Sequence, residues 1–337
     1  MISVTCYTSK QTSQGSLTSE EIRKTVEGLG ALFVEIPIDG NSDLESIYGG
    51  KVPLLKSGPY TLSSPFTLSD LEVMVRSATQ RAAAMSEMDN QEQRNPLRQS
   101  QRVTRGDRFG MWFVRNYVRV IIIVLAIFLG LPFLAPVLEE TGRTGMARVI
   151  YTVYRPFCHQ LSFRSYFLFG EQAVYPRALA DLKGLLTYEQ VTGSDVIDIQ
   201  QARNFTGNGY LGFKVGLCER DVAIYGSVLL FAILFEISGK KIKQLPWYWW
   251  VILAIVPIGL DGFSQLPSLV INPPAWMPIR ESTPLIRTIT GFAFGFFSAW
   301  FVFPLMEQSV AETRVALQRK LAIVQGMMRS SQEGKIS

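Results

Sequence analysis

Nineteen consecutive residues, 120–138, carry no charged side chain, and a helix rising 1.5 Å per residue over that length spans a hydrocarbon layer of about 30 Å. Immediately before this run, seven arginines and a single acid fall between Arg94 and Arg119. A basic flank beside an apolar span orients a membrane protein with the flank on the cytoplasmic side. Such arginines could also draw nucleic acid, but the adjoining span accounts for them, so the bilayer is the expected partner and no nucleic acid is. The chain is 47% hydrophobic and only 18% charged, which excludes a disordered polymer. Three cysteines and one histidine are too few for a disulfide scaffold or a multi-histidine metal centre.

Three further apolar stretches, residues 222–238, 245–265 and 285–306, predict an all-α polytopic bundle of about four transmembrane helices over 120–306. Trp112 and the group Trp247, Tyr248, Trp249 and Trp250 mark interfaces. Lys240, Lys241 and Lys243 place the short loop 239–245 in the cytoplasm beside the arginine flank. Both termini are then cytoplasmic, and the protein is multi-pass in the cell membrane. Residues 139–221 form an external insertion with nine basic and nine acidic side chains, too long and too balanced to affect orientation. Within it, 145–169 reads as an interfacial or re-entrant helix and 175–201 as a small soluble piece with one or two short helices. Glycines alternating with Tyr210, Leu211, Phe213, Val215 and Leu217 suggest a strand or hairpin over 207–218. The tail, 307–337, suits an amphipathic cytoplasmic helix that lies on the membrane, pairs with a neighbour, or is simply solvated.

Residues 1–81 read as a small soluble α/β unit, with no signal peptide expected ahead of it. Strands are predicted at 3–7, 31–38, 52–55 and 60–63, and helices at 19–29, 43–48 and 67–81, giving the order βαβαββα. That order, with Lys51-Val52-Pro53 before the third strand, resembles the thioredoxin fold and its glutaredoxin-like group, in which this proline is typically cis and borders the active site. Where an active member carries its cysteine pair, this chain reads Tyr7-Thr8-Ser9-Lys10-Gln11-Thr12-Ser13-Gln14-Gly15. No thiol is there, and Cys6, inside the first strand, reads as a buried structural cysteine. The resemblance therefore implies a thioredoxin-like domain without its CxxC, serving as a docking or regulatory module for a cytoplasmic protein. Residues 82–119 form a polar, basic linker or loosely helical neck.

Ionisable side chains at membrane depth are costly and mark functional sites by default. Cys158, His159, Gln160 and Arg164 precede the second span. Cys218, Arg220 and Asp221 stand at its outer start, with Tyr225 one turn on. Asp261 and Gln265 end the third span, and Arg287 opens the fourth. The topology sends all of them to the external mouth of one bundle. The same residues carry a second resemblance. Cys158-His159-Gln160 followed by Arg164-Ser165-Tyr166, then Cys218-x-Arg220-Asp221-x-x-x-Tyr225, Asp261-Gly262-x-x-Gln265 and Arg287-x-x-Thr290-Gly291, resemble the predicted membrane protein family called domain of unknown function 2085, over about residues 145–305. Some members place a further cysteine where this chain has Asp221. The resemblance implies a membrane protein and supplies no activity.

The residues themselves leave several chemistries open. Cys158 and Cys218 are candidates for a structural disulfide, for metal ligation with zinc or another metal, or for two unpaired thiols. As a binding site, Gln160, Arg164, Arg220, Asp221, Tyr225 and Gln265 would hold a small anionic or lipid-headgroup ligand. The alternative is a membrane-embedded enzyme, metal-dependent or not, acting on a lipid-linked or periplasmic substrate. There His159 or Asp261 would serve as base, and Arg287 with Arg220 would stabilise developing negative charge. Arg220, Asp221, Asp261 and Arg287 could equally neutralise one another, and His159 could cap a helix or bond a carboxylate. Gly291 and Gly295 have the spacing of close helix packing, within the chain or in an oligomer. No Walker loop, GxSxG, HExxH or dinucleotide fingerprint is present.

Overall fold

The short β-branched runs near the amino terminus become β1 (Ser3–Thr8), β2 (Leu32–Pro37), β3 (Leu54–Ser57) and β4 (Tyr60–Ser63) of one mixed sheet. The computed structural model describes residues 2–9, 17–88, 103–193, 198–266 and 280–333. The sheet order is β2-β1-β3-β4, with β1 parallel to β2 and the other pairs antiparallel. A parallel pair needs a crossover, here α1 (Ser19–Gly28). A reciprocal cap starts this helix. Thr18 N donates to the Glu21 carboxylate at 2.9 Å, and Glu21 N donates back to Thr18 Oγ1 at 3.3 Å. Asn41 caps α2 (Ser42–Tyr48), and α3 (Leu68–Met88) ends the βαβαββα series. The Val52–Pro53 and Ser64–Pro65 peptides are cis. Strand β3 begins two residues later than the sequence suggests, because Val52 and Pro53 form the approach to it. Helix α3 overruns its predicted end at Arg81 by seven residues of strong helix formers.

Both faces of this sheet are covered. On one, Val4, Cys6 and Leu55 pack with Ile22 and Val26 of α1 and Leu71, Met74 and Val75 of α3. On the other, Tyr7, Ile38, Leu44 and Leu54 enclose Val315. Val315 belongs to a helix from the far end of the chain, because residues 1–116 and 308–337 form one compact unit. The tail helix is thus neither solvated nor laid on lipid along its length: Arg314 pairs with Asp43, and Asn41 Nδ2 donates to Gln318 Oε1 at 3.3 Å.

The second unit, residues 117–307, is mainly helical. Helix α4 (Arg105–Glu140) enters it, and α5 (Thr144–Tyr154) follows. After one tight turn at Ser162–Arg164 comes β5 (Ser165–Leu168), then α6 (Tyr188–Thr192), α7 (Ile199–Asn204) and the hairpin β6 (Gly207–Asn208) and β7 (Gly212–Cys218). The sheet order is β5-β7-β6. The expected hairpin over 207–218 is present, whereas only the first half of 145–169 is helical. Gly212 adopts φ +76°, and a Cβ there would sit 2.3 Å from the Leu168 carbonyl oxygen, so the strand crossing requires glycine. Strand β7 leads straight into α8 (Glu219–Ile237). Helix α9 (Trp247–Trp250) continues through a π-helical turn, Val251–Ile255, into α10 (Val256–Phe263). Finally, α11 runs unbroken over Pro284–Glu333.

Among the described residues, α4 and α11 are long and apolar enough to cross a membrane. Each exposes large apolar side chains, among them Ile123, Val124 and Ile127 on α4 and Leu285, Ile289 and Phe292 on α11, as contact with lipid requires. Their ends differ from the expected ones. Arg105 to Arg119 are helical rather than a loose neck, and Arg94, Arg98 and Arg102 lie outside the described residues. Helices α8 and α11 lie so close that a Cβ on Gly295 would meet Ser227 Oγ at 2.2 Å and Ile224 O at 2.3 Å, while one on Gly291 would meet Arg220 O at 2.7 Å. Both glycines are therefore used within the chain.

Candidate functional site

Arg220, in the first turn of α8, pairs with Asp261 near the end of α10, and Arg287, in the first turn of α11, reaches Gln265 Oε1 at 3.4 Å and Glu219 Oε2 at 3.3 Å. These contacts bring the start of α8, the end of α10 and the start of α11 to one end of the unit. The opposite ends meet elsewhere: Arg119 Nε lies 2.6 Å from Glu236 Oε1, and Tyr117 Oη donates to Glu307 Oε2 at 2.7 Å.

At the first end is a cavity of about 260 Å³. Nine of the eleven side chains singled out from the sequence line it: Cys158, His159, Gln160, Arg164, Cys218, Arg220, Asp221, Gln265 and Arg287. Asp261 stands behind Arg220, 3% exposed, with Arg280 Nη1 3.6 Å from its other oxygen. Tyr225 is not in the wall. Its ring packs edge-on against Phe128 at 4.8 Å, beside Tyr154 and Leu217. His159 is exposed at the rim.

Gln160 is committed to structure as well as to the wall. Fully buried at φ +55°, it donates its amide to Tyr151 O at 2.9 Å and Gly216 O at 3.0 Å, joining α5 to β7. Cys158 and Cys218 are both free thiols. Their sulfurs and an Asp221 carboxylate oxygen all lie within 4.8 Å of one another, the set of side chains among the described residues best placed to hold a metal.

A charge network missed by the sequence surrounds the cavity. Glu281, 2% exposed, takes Arg164 Nε at 2.9 Å and Nη2 at 3.1 Å, pairs with Arg287, and has Arg177 Nη1 at 3.5 Å. Glu219, 1% exposed, faces Arg287 through one oxygen. Buried charges of this density persist only when paired, since removing one partner strands the other. A signal for Glu219 was available: it is the unassigned position inside Cys218-x-Arg220, next to three residues already marked. Glu281 offered none, because an acid in a loop before a helix is ordinarily solvated. Lys214 was also missed. Its ammonium, buried under α5, donates to Gln160 O at 2.9 Å and Arg203 O at 2.6 Å. Burial, reinforced by Arg155 and Arg203, pulls this amine down to about 7. In the other unit, burial and then the charge of Glu35 push the Cys6 thiol up to about 12, which keeps it protonated and unreactive.

Part of this sequence is similar to known proteins. The family described as "Predicted membrane protein (DUF2085)" matches residues 200–301, which include Cys218, Arg220, Asp221, Asp261, Gln265 and Arg287 and leave Cys158 to Arg164 outside. An uncharacterized protein of Methanocaldococcus jannaschii is 26% identical over 203 residues, 58% of this chain and 97% of that protein. No solved structure matches.

Proposed function

We propose that this chain is a multi-pass protein of the cytoplasmic membrane that binds a small anionic ligand, of the size of a phosphate or a lipid headgroup, in a pocket on the external face. The carrying observation is that Arg164, Arg220 and Arg287 line one small cavity together with the side chains of Gln160 and Gln265. Arginine forks suit phosphate and carboxylate oxygens. Arg220 Nε and Arg287 Nε are buried without a hydrogen-bond partner, so each guanidinium retains donor capacity beyond its ion pairs.

A counting argument supports this topology. Residues on either side of 117–307 belong to one folded unit, so both lie on one side of the bilayer and the number of crossings between them is even. With α4 and α11 as two, an even total lets α8 and the run from α9 through α10 cross as a further pair, which the apolar stretches 222–238 and 245–265 favour. The arginines before α4 and the lysines before α9 favour a cytoplasmic side for those flanks, and an external cavity would follow. The sheet order and βαβαββα sequence of that unit favour a thioredoxin-like module, and the buried Cys6 with no cysteine partner favours docking of a cytoplasmic protein over redox chemistry.

Thermal unfolding of the full-length protein separates the ligand sources. In detergent, inorganic phosphate is expected to raise Tm for the native chain and not for Arg220→Gln. In nanodiscs, a rise with phosphatidylglycerol over phosphatidylcholine, without one from phosphate, identifies a headgroup. No shift with either probe overturns the reading.

A further inference from the structure

Two sulfurs and a carboxylate meet in the cavity wall, Cys158 brought across to Cys218 and Asp221 at the junction of β7 and α8. Cys158 comes from the loop after α5, Cys218 from the end of β7, and Asp221 from the first turn of α8, and their ligand atoms lie within 4.8 Å of one another. We propose that Cys158, Cys218 and Asp221 form a binding site for one zinc-class divalent cation, with its fourth coordination position open to the cavity.

Three observations carry this. The first is distance. A tetrahedral zinc, with bonds of about 2.3 Å to sulfur and about 2.1 Å to oxygen, holds its ligand atoms roughly 3.5–3.8 Å apart. The Cys218 Sγ to Asp221 Oδ2 separation of 3.1 Å is a thiol-to-carboxylate hydrogen bond, which the ion would replace once the two atoms open by roughly half an ångström. The second is the outer shell. The backbone N–H groups of Gln160 and Cys218 donate to Cys158 Sγ at 3.4 and 3.3 Å. Donors directed at a sulfur are how proteins orient and stabilise a metal thiolate. The fold holds them there, since Gln160 is itself fixed by its two amide bonds to Tyr151 O and Gly216 O. The third is chemistry. Two thiolates and one carboxylate suit zinc far better than magnesium or calcium, which prefer all-oxygen shells.

All three ligands line the cavity, so the remaining position faces it. Three protein ligands with an open fourth is the pattern of zinc sites that take a water or substrate, not of closed structural ones. His159, at the rim and outside the converging set, is not a required ligand. Binding replaces the two thiol protons, which pass to solvent, and no electron is transferred. The inference is independent of the anion reading: it needs neither Arg220 nor Arg287, although an anion held by them would lie beside the metal.

Cobalt titration tests it on the reduced, chelator-treated full-length protein in detergent. The expected result is one Co²⁺ per chain, with a thiolate-to-cobalt charge-transfer band that one equivalent of Zn²⁺ abolishes. Cys158→Ser and Cys218→Ser are expected to lose the band, Asp221→Asn to weaken binding, and Cys6→Ser and His159→Ala to retain the stoichiometry. Failure of the native chain to take up Co²⁺ or Zn²⁺ overturns the proposal whatever the variants do. So does non-reducing mass spectrometry showing Cys158 bonded to Cys218 in metal-free protein isolated from the membrane.

Discussion

Arg287 sits between two carboxylates with almost no water. Its side chain is 3% exposed, and those of Glu219 and Glu281 are 1% and 2% exposed. Replacing it with methionine removes the cation that touches both, and a buried pair broken on one side costs about 3–5 kcal/mol. Arg287→Met is therefore expected to lower Tm in detergent sharply, and Arg287→Met combined with Glu219→Gln to recover part of the loss. A double variant no better than the single would show that the Glu219 contact carries no energy. The residues that were legible in the sequence share one property: Arg220, Asp221, Asp261, Gln265 and Arg287 interrupt or abut apolar runs, where a polar side chain needs a reason. Glu281 and Arg177 sit in stretches of ordinary polarity, and Lys214, the one charge between Arg203 and Glu219, falls on the glycine side of an alternating strand, where a solvated lysine is expected. Their burial arises only when the insertion folds over them, which no local pattern encodes.

At the scale of elements, the ends of α1 and α2 were readable to within a residue, whereas those of α3, α4 and α11 were not. Thr104-x-x-Asp107 is a capping pair, with Thr104 N donating to the Asp107 carboxylate at 2.7 Å and Asp107 N returning to Thr104 Oγ1 at 3.1 Å. It starts α4 fifteen residues before the apolar run, where the apolar pattern alone gives no sign of a helix. Helix α11 continues past Met306 because Glu307, Gln308, Ala311 and Glu312 favour helix and no glycine or proline stands there to stop it. The contact between α8 and α11 depends on Gly291 and Gly295. Gly295→Val drives a side chain into Ser227 Oγ and the Ile224 carbonyl, and overpacking of this kind costs about 1–3 kcal/mol. Its Tm is expected to fall, whereas Gly130→Ala, on α4 with nothing within 4 Å of the added Cβ, leaves Tm unchanged or slightly raised. Equal effects of the two would remove close helix approach as the reason for Gly295.

For the whole molecule, the α/β unit is complete only with residues from both ends of the chain. The face built from Tyr7, Ile38, Leu44 and Leu54 is closed by Val315, and Lys320 Nζ lies 2.9 Å from Asp107. Truncation after Glu307 is expected to leave residues 17–88 readily cleaved by protease while 117–307 keeps its resistance, and Val315→Asp is expected to reproduce that pattern. Unchanged protection of 17–88 would mean the sheet stands without the tail. The amphipathic character of the tail was visible in Val310, Leu317 and Val324, but its partner lies some 270 residues earlier in the sequence, beyond any local period.

That distance has a bearing on biosynthesis. Asp43 emerges from the ribosome 271 residues ahead of Arg314, and at roughly 5–20 residues per second the interval is on the order of ten seconds to a minute. Throughout it, the newborn amino-terminal sheet presents an uncovered greasy side while the apolar stretches behind it are still being made. A chaperone that shields this side until translation ends would meet the chain's need during its own production.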